Sequence, residues 1–265
     1  MRLLITGAAN GIGACIAQQA VTMGHSVIAA DLDGAALEAQ WADSPEVHCE
    51  RLDVRSEQQW HALFDRLDST QQVVDVLVNV AGVLRSGQTG ELNGDNVRLM
   101  LEVNVQGVIF GANAAAAHMI RHGRKGHIIN IGSVASLFAT PGNTIYAASK
   151  FAVRGFSIAA AGDLRPHGIA VTLVGPGPVK TGMLEQQRGD DDAALTFAGG
   201  RALTPDEVAR CVLGPVLKQR PLEIYLPRMD GIIGKIANAA PGLFLRVTRY
   251  AAARGRKHFQ SDNFR

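Results

Sequence analysis

The sequence contains few cysteines, and their placement does not fit a disulfide framework. Cys15, Cys49 and Cys211 are odd in number, lie far apart in the chain and form no Cys-x-x-Cys pair. Small secreted domains that depend on disulfides carry an even set of cysteines at close spacings. We therefore expect reduced thiols and a cytoplasmic location.

Long apolar runs, linkers and strong net charge are also missing. No uninterrupted apolar run approaches the roughly 18 residues of a membrane-spanning helix, and residues 3–5 lead into a glycine-rich turn, not a signal peptide. No stretch resembles a linker or repeat, so residues 1–226 are expected to form a single catalytic domain. The formal net charge of +2 gives no reason to expect nucleic acid as a partner.

Short segments rich in Val, Ile and Leu alternate with segments of helical periodicity. The short segments predict strands buried on both faces, at 3–6, 26–31, 47–53, 73–79, 127–132, 169–174 and 223–226. Helices are predicted between them, for example at 12–23, 57–67, 97–119, 144–164 and 205–218. This alternation predicts an α/β fold, a Rossmann-type doubly wound parallel sheet with helices on both faces. Ligands of such sheets bind beyond the carboxyl ends of the strands.

A glycine-rich turn follows the first predicted strand and opens directly into a helix. It reads Gly7-Ala8-Ala9-Asn10-Gly11-Ile12-Gly13. Glycine permits the tight turn and lets main-chain N–H groups approach a pyrophosphate, while the helix N-terminus adds a favourable dipole. The position between strand and helix, more than the glycines themselves, predicts a dinucleotide site.

Asp31 ends the second predicted strand, 18 residues after Gly13. An acid about 20 residues beyond the glycine turn bonds the ribose 2′-hydroxyl of NAD and repels the 2′-phosphate of NADP. Asp33 adds negative charge and no Arg or Lys follows nearby, so NAD is the predicted cofactor. The alternative is that Asp31 only caps the next helix.

Other polar and small residues follow the third, fourth and fifth strands. Asp53-Val54 and Asn79-Val80-Ala81-Gly82 are placed at the cofactor edge, where Ala81 and Gly82 would let the chain pass close to a sugar. Ser133 follows the fifth strand and could hydrogen-bond a carbonyl or alkoxide oxygen. Asn104 is a polar residue among apolar helical neighbours.

Tyr146 and Lys150 are spaced i,i+4 on a predicted helix, which puts both side chains on one face. A nearby ammonium lowers the pKa of a tyrosine from its reference of about 10, so Tyr146 is predicted to act as a general acid and base. Alone, such a pair is commonly a solvated helix face. Its position after the glycine turn, Asp31 and Ser133 makes the functional interpretation stronger.

Taken together, these motifs resemble the classical short-chain dehydrogenase/reductase (SDR) family over residues 2–226. One departure is Val80, where the family usually has a second Asn. The resemblance implies a seven-stranded sheet of order 3-2-1-4-5-6-7, an adenine-site acid at Asp53, and a catalytic set at Asn104, Ser133, Tyr146 and Lys150. It also implies a nicotinamide-side segment with cofactor contacts at Pro176, Gly177, Val179 and Thr181, a substrate lid over about 181–203, and a homodimer or homotetramer.

The implied activity is NAD-dependent interconversion of a secondary alcohol and a ketone by hydride transfer. In this scheme Lys150 also bonds the nicotinamide ribose, and Asn104 helps to hold a water linked to Lys150. Leu84, Leu137 and Phe138 favour a bulky apolar substrate. The alternatives are an idle cofactor-binding regulator, an NADPH-dependent carbonyl reductase, or an extended-type epimerase or dehydratase. No metal site is predicted, because His118 and His122 lack an apparent third ligand and are expected to be exposed.

The C-terminal extension, residues 227–265, differs in charge from the rest of the chain. It holds eight Lys or Arg and two acids, against 18 basic and 22 acidic residues in the remainder. Apolar residues at helical spacing and Pro241-Gly242 predict two short helices. Three roles are open: packing against the body or a neighbouring subunit, walling an apolar pocket, or attaching to an anionic membrane surface. Because the apolar face looks short, we expect at most weak, salt-sensitive lipid binding.

Overall fold

A computed structural model describes residues 1–138, 140–259 and 264. Its centre is a seven-stranded, all-parallel sheet of order β3-β2-β1-β4-β5-β6-β7, which confirms the expected topology. The strands are β1 Arg2–Thr6, β2 Ser26–Asp31, β3 Val47–Arg51, β4 Val76–Asn79, β5 His127–Ile131, β6 Ala170–Pro176 and β7 Glu223–Leu226. All seven predicted strands are present, with ends displaced by up to three residues.

Eleven α-helices accompany the strands in the described part of the chain. They are α1 Gly11–Thr22, α2 Gly34–Gln40, α3 Glu57–Ser69, α4 Gly94–Leu101, α5 Gly107–Arg121, α6 Thr144–Leu164, α7 Gly182–Glu185, α8 Pro205–Cys211, α9 Leu217–Gln219, α10 Arg228–Ala239 and α11 Pro241–Lys257. Two predicted helices, 97–119 and 205–218, are each interrupted by a π-helical turn, at Glu102–Gln106 and Val212–Val216. Pro215 lies in the second turn and cannot donate a main-chain hydrogen bond, so the regular α-helical ladder is broken there.

The two faces of the sheet bury separate apolar clusters. Alternate side chains of a strand point to opposite faces, so Leu3 and Ile5 pack in the cluster with α1 and α8, while Leu4 packs with α3 and α5. Both faces of the central strands are therefore covered, as the continuous apolar segments predict. Their carboxyl ends remain the open edge of the sheet.

One helical stretch, Gly94–Arg121, is long and apolar enough by composition to cross a membrane. The stretch is not an uninterrupted apolar run, because polar residues such as Asn104 divide it. In the fold the stretch comprises α4, the π turn and α5, and half of its apolar window is buried. Ala112, Ala115 and Met119 pack in the apolar core, so the stretch serves as a core helix.

The C-terminal extension forms two helices, α10 and α11, that meet at Ala240-Pro241. The predicted break is present, but α11 has 17 residues and is longer than expected. Small residues face inward: Gly231 packs on Tyr225, and Gly234 packs on Leu137. On α11, Gly255 packs directly against the main chain of Ala194 in the predicted lid. The extension is therefore joined to the body by close contacts.

Candidate active site

A cavity of about 830 Å³ opens above the carboxyl ends of the strands. It gathers 17 of the 19 residues that the sequence analysis assigned to catalysis or cofactor binding. These are Gly7, Asn10, Gly11, Ile12, Gly13, Asp31, Asp53, Val54, Ala81, Gly82, Ser133, Tyr146, Lys150, Pro176, Gly177, Val179 and Thr181. Asn79 and Asn104 do not line it.

The glycine turn is built for close main-chain approach. Gly7 and Gly11 have φ of +68° and +58°, backbone conformations that residues other than glycine rarely adopt. A Cβ at Gly13 would lie 2.1 Å from the carbonyl oxygen of Gly7, so only glycine fits there. No side chain caps the first turn of α1, and this turn faces the cavity. An uncapped helix N-terminus behind such a turn suits the pyrophosphate of a dinucleotide.

Asp31 holds the glycine turn and does not cap a helix. Its Oδ2 accepts a hydrogen bond from the Ala9 main-chain N–H at 3.0 Å, and Oδ1 accepts one from the N–H of Asp33. The cap of α2 is Asp33, whose carboxylate accepts from Ala36 N at 3.0 Å. The capping alternative for Asp31 is therefore wrong, because the residue two positions later fills that role.

The premise that Asp31 has no basic neighbour is also wrong. Arg51 lies directly across from Asp31 in the β2–β3 pairing, although 20 positions separate the two in the chain. The side chain of Arg51 passes over Gly34, and no ion pair joins it to Asp31 within the described residues. The prediction of NAD as the cofactor therefore depends on the carboxylate of Asp31 alone, and not on the lack of a nearby base.

Asp53 carries a bidentate ion pair with Arg55. Arg55 Nη2 lies 2.7 Å from Asp53 Oδ2 and Nε lies 2.9 Å from Oδ1. This pairing holds the pKa of Asp53 below its ordinary value. Both residues line the cavity, so its β3 end presents a fixed carboxylate and a guanidinium.

The two asparagines outside the cavity are occupied by internal hydrogen bonds. Asn79 Nδ2 donates to Asn130 Oδ1 at 2.9 Å, so its side chain joins β4 to β5 and is buried away from the cavity. Asn104 bonds the main chain of Val83 twice, through Oδ1 at 2.8 Å and Nδ2 at 2.9 Å. The side chains of these two residues therefore do not line the cavity, and the roles of Asn79 as a cofactor contact and of Asn104 as a catalytic residue that helps to hold a water stay predictions.

Ser133, Tyr146 and Lys150 meet on the floor of the cavity. Ser133 follows β5, and α6 carries Tyr146 and Lys150 one turn apart, as the spacing predicts. Lys150 Nζ is buried, donates to the Ile131 carbonyl at 3.1 Å, and lies 5.6 Å from the centre of the Tyr146 ring. The arrangement places a hydroxyl, a phenol and an amine around one space.

The acidity of this set differs from the expectation. Burial raises the pKa of Tyr146 from 10.0, and the hydrogen bond from Ser133 offsets only part of that increase. Burial also lowers the pKa of Lys150 from 10.5 to about 8. The predicted lowering of the Tyr146 pKa is therefore not found, because burial of the phenol outweighs the hydrogen bond from Ser133 that favours the phenolate.

The segment after β6 closes over the cavity. Val179 pairs with Leu203 in an isolated bridge, with Lys180 N donating to Leu203 O at 2.8 Å. The Thr181 hydroxyl bonds the carbonyl of Val179 at 3.2 Å. Between these points, residues 182–202 form α7 and a 3-10 helical stretch, Asp191–Phe197, and contribute Met183, Leu195 and other residues to the cavity wall.

The C-terminal helices supply part of the cavity wall, which agrees with one of the three roles left open for the extension. Ile233, Phe244 and Ala251 come from the C-terminal helices, and the Phe244 ring lies 5.1 Å from that of Phe138. Asp230 also faces the cavity, and burial raises the pKa of its carboxyl group. The position of Asp230 in the site could not be predicted from the sequence. Charge counts, helical spacing and the break at Pro241 describe this region but do not show which side chains face the cavity. Leu137, expected near the substrate, is instead fully buried in the core.

His118 and His122 form a cluster with Asp68, not the exposed pair that was expected. His118 is fully buried, and Asp68 Oδ1 lies 2.5 Å from His118 Nδ1 and 2.9 Å from His122 Nε2. The main-chain N–H of Val74 donates to His118 Nε2 at 3.1 Å, so Nδ1 carries the proton toward Asp68. A metal on Nδ1 would force a proton onto Nε2 against this N–H donor. The cluster therefore acts as a hydrogen-bonded clamp between α3 and α5.

Burial alone would raise the pKa of Asp68, but hydrogen bonds from His122, Arg121 and His118 lower it to about 2. The carboxylate is thus charged at neutral pH.

Comparison with known proteins agrees with this site. The family model described as short chain dehydrogenase matches residues 2–192. A 3-alpha-(or 20-beta)-hydroxysteroid dehydrogenase of Mycobacterium tuberculosis is 37% identical over 214 residues, covering 79% of this chain and 80% of that protein. A cyclopentanol dehydrogenase of Comamonas testosteroni is 33% identical over 219 residues, covering 80% of this chain and 87% of that protein.

A solved structure gives the same result at the level of the fold. The closed form of serine dehydrogenase, complexed with NADP+, superposes with a TM-score of 0.76 at 30% identity. The match covers 85% of this chain and 93% of that one. With the sheet order, the glycine turn and the family match in agreement, the chain belongs to the short-chain dehydrogenase family.

Proposed function

We propose that this chain interconverts a secondary alcohol and a ketone by hydride transfer, with NAD as its cofactor. The observation behind this proposal is that Ser133, Tyr146 and Lys150 line one cavity together. The glycine turn lines the same cavity. A cavity of about 830 Å³ has room for a dinucleotide end and a substrate together. When bound, a nicotinamide cofactor supplies or accepts the hydride.

In this scheme the three side chains handle the substrate oxygen and its proton. The Ser133 hydroxyl orients the oxygen, and the Tyr146 phenol donates a proton to it in reduction, while the Tyr146 phenolate accepts the alcohol proton in oxidation. Because burial raises the pKa of Tyr146, the phenol is protonated at neutral pH and can donate its proton in reduction. The carbonyl of Ile131 holds the Lys150 amine beside the ring.

The choice of NAD rests on Asp31. Its carboxylate lines the cavity at the end of β2, where a 2′-phosphate would meet negative charge. Arg51 on the neighbouring strand favours the opposite choice, since a guanidinium can bind that phosphate. We give Asp31 more weight because it lines the cavity and Arg51 does not. An NADPH-dependent carbonyl reductase is the alternative, and the NADP+ complex of the similar serine dehydrogenase keeps it open.

The substrate is proposed to be bulky and apolar. Leu84, Phe138, Met183, Leu195 and Phe244 line the substrate side of the cavity. The similar hydroxysteroid dehydrogenase supports this size and chemistry, whereas the similar serine dehydrogenase argues for a small polar substrate. We also propose a cytoplasmic homodimer or homotetramer, as the family resemblance implies.

Turnover assays separate these possibilities. Purified protein is incubated with NAD or NADP and a panel of alcohols that includes a hydroxysteroid, cyclopentanol and serine, and reduced cofactor is followed by absorbance. We expect turnover with NAD and the hydroxysteroid, and none from Tyr146→Phe. Cofactor binding without turnover on any alcohol or matching ketone would instead support the idle regulator.

A further inference from the structure

Helix α10 presents an apolar stripe to solvent. Met229, Ile232, Ile233 and Ile236 recur at i, i+3, i+4 and i+7, so they share one face of the helix. Each is 51–65% exposed. The buried face carries Gly231, Gly234 and Ala237 instead. The amphipathic pattern of this helix is thus inverted, with its large apolar side chains on the outside.

Helix α11 also exposes large apolar side chains, of which Leu243, Val247 and Tyr250 recur at i, i+4 and i+7 and share one face. Leu243, Leu245, Val247 and Tyr250 are 49–80% exposed. Together the two helices hold eight of the fourteen large apolar side chains that are exposed in the described residues. We call these eight residues the tail surface. A concentration of exposed apolar side chains on one element marks an interaction surface.

Packing prevents the two helices from rotating to bury the tail surface. A Cβ at Gly231 would lie 2.6 Å from the Cβ of Tyr225, and one at Gly255 would lie 1.8 Å from the carbonyl oxygen of Ala194. Only glycine allows these approaches, so larger side chains cannot take their places against the body. The outward orientation of the stripe is therefore fixed by contacts on the opposite face.

The charge around the tail surface is positive. Six exposed basic residues on α10 and α11 form no ion pair within the described part of the chain: Arg228, Arg246, Arg249, Arg254, Arg256 and Lys257. The seventh base, Lys235, lies 3.9 Å from Glu223. The one acid on these helices, Asp230, faces the cavity. The occupant of the tail surface must therefore be apolar and negatively charged.

An anionic membrane meets both requirements, whereas a second copy of the chain does not. A two-fold dimer would place the same patch against itself, so two positively charged surfaces would face each other. A bilayer with anionic headgroups offers hydrocarbon for the apolar stripe and phosphates for the basic residues. We propose that α10 and α11 dock this protein on an anionic membrane surface.

Docking would put the mouth of the cavity next to the bilayer. The same two helices contribute Ile233, Phe244 and Ala251 to the cavity wall, and Ile233 belongs to both surfaces. A lipid-soluble alcohol could then pass from the membrane to the cavity without crossing bulk water. This second part rests on the proposed function, while the docking itself does not.

Co-sedimentation of the full-length protein with vesicles tests the docking. We expect the protein to sediment with vesicles of phosphatidylcholine and phosphatidylserine, and about tenfold less with phosphatidylcholine alone. The double variant Ile232→Ser, Ile236→Ser and the double variant Arg246→Gln, Arg249→Gln should each lower binding about tenfold. Met23→Ser is the matched control, because Met23 is 53% exposed but lies at the C-terminal end of α1, outside the tail surface.

The outcomes separate docking from the catalytic proposal. Loss of binding in both tail variants, with unchanged turnover of a water-soluble alcohol, supports docking. Vesicle binding in a protein without turnover would leave docking in place and overturn only the function. Failure of the wild type to bind anionic vesicles refutes docking. A dimer at high concentration that Ile232→Ser, Ile236→Ser abolishes would then assign the tail surface to a second copy.

Discussion

The main-chain carbonyl of Ile131 accepts a hydrogen bond from Lys150 Nζ at 3.1 Å. This contact joins the last residue of β5 to α6 and holds the amine 5.6 Å from the centre of the Tyr146 ring. A lysine with four rotatable bonds is thereby fixed at the floor of the cavity. Because the amine is buried there, its pKa falls to about 8, and a small change in its surroundings is enough to change its charge.

Tyr146→Phe should reduce kcat by about 10²–10⁴, because the hydroxyl is the proposed proton carrier. Binding of NAD should stay within a few-fold, since the phenyl ring keeps its place in the cavity. Steady-state kinetics and cofactor fluorescence measure the two effects. A variant that keeps more than about a tenth of the wild-type kcat would remove Tyr146 from the mechanism.

Gly13→Ala should abolish cofactor binding and lower the free energy of unfolding by about 1–3 kcal/mol. The new Cβ would lie 2.1 Å from the Gly7 carbonyl, so the turn or α1 must move. Gly24→Ala is unsuitable as a control because its φ is +77°. Gly162→Ala is suitable, since it lies in α6 with open space around it; it should leave cofactor binding unchanged and raise the free energy of unfolding by up to about 1 kcal/mol.

Asp31→Asn should lower the ratio of kcat/KM for NAD over NADP by about tenfold or more, which corresponds to about 1.4 kcal/mol. Asparagine keeps an acceptor for the Ala9 N–H, so the turn stays in place while the charge is lost. Arg51→Gln is the informative partner variant. If it, and not Asp31→Asn, changes the ratio, the base on β3 controls the choice of cofactor.

Asp230→Asn should lower KM for a neutral apolar ketone and leave kcat similar. No hydrogen bond or ion pair joins its carboxyl group to the described residues, and burial raises its pKa, so an apolar ligand beside it adds to a desolvation cost. Removing the charge removes that cost. A rise in KM that is limited to substrates with an amine would instead identify Asp230 as their partner, and would contradict an apolar substrate.

His127 should make the fold less stable in acid. Its ring is buried, Nε2 donates to Thr172 Oγ1 at 2.8 Å, and Nδ1 has no partner among the described residues. Burial lowers its pKa to about 4, so its folded pKa lies below the unfolded value of about 6.5. The stability from the neutral ring is fully present above pH 6.5 and is lost as the pH falls toward 4. The loss is about 3 kcal/mol.

Denaturant unfolding at neutral pH and near pH 4.5 measures this effect. The Asp68 cluster also titrates in acid: the Asp68 carboxyl pKa of about 2 places its loss at lower pH, but burial lowers the pKa of His118 as well, so His118 adds to the loss below pH 6.5. His127→Gln should flatten the dependence between pH 6.5 and 4.5. An unchanged slope in that variant would assign the acid sensitivity elsewhere.

Local patterns predicted the fold and most of the site, whereas contacts distant in sequence were not predictable. The range 144–164 was predicted to the residue because a turn precedes it and Arg165-Pro166 ends it. Arg51 lies opposite Asp31 only because β2 pairs with β3 in this register. The sequence around either residue does not reveal that pairing. The pKa of Tyr146 depends on burial, which the spacing of Tyr146 and Lys150 does not reveal.

The C-terminal helices differ most from what the sequence predicted, for a similar reason. Helical spacing identified their apolar residues but not which face packs on the body. The small residues Gly231, Gly234 and Gly255 decide that orientation through contacts with Tyr225 and other distant partners. The apolar face that looked short in sequence is therefore a surface of eight exposed side chains.

The wall formed by Ile233, Phe244 and Ala251 lies outside the segment matched by the family model, which ends at residue 192. Hydride chemistry and this part of the pocket are thus encoded in separate stretches of the chain. Substitutions can therefore change residues of the C-terminal helices while the catalytic residues stay intact. A change of substrate can then arise on α10 and α11 while the catalytic set stays the same, as long as Gly231, Gly234 and Gly255 keep their packing on the body.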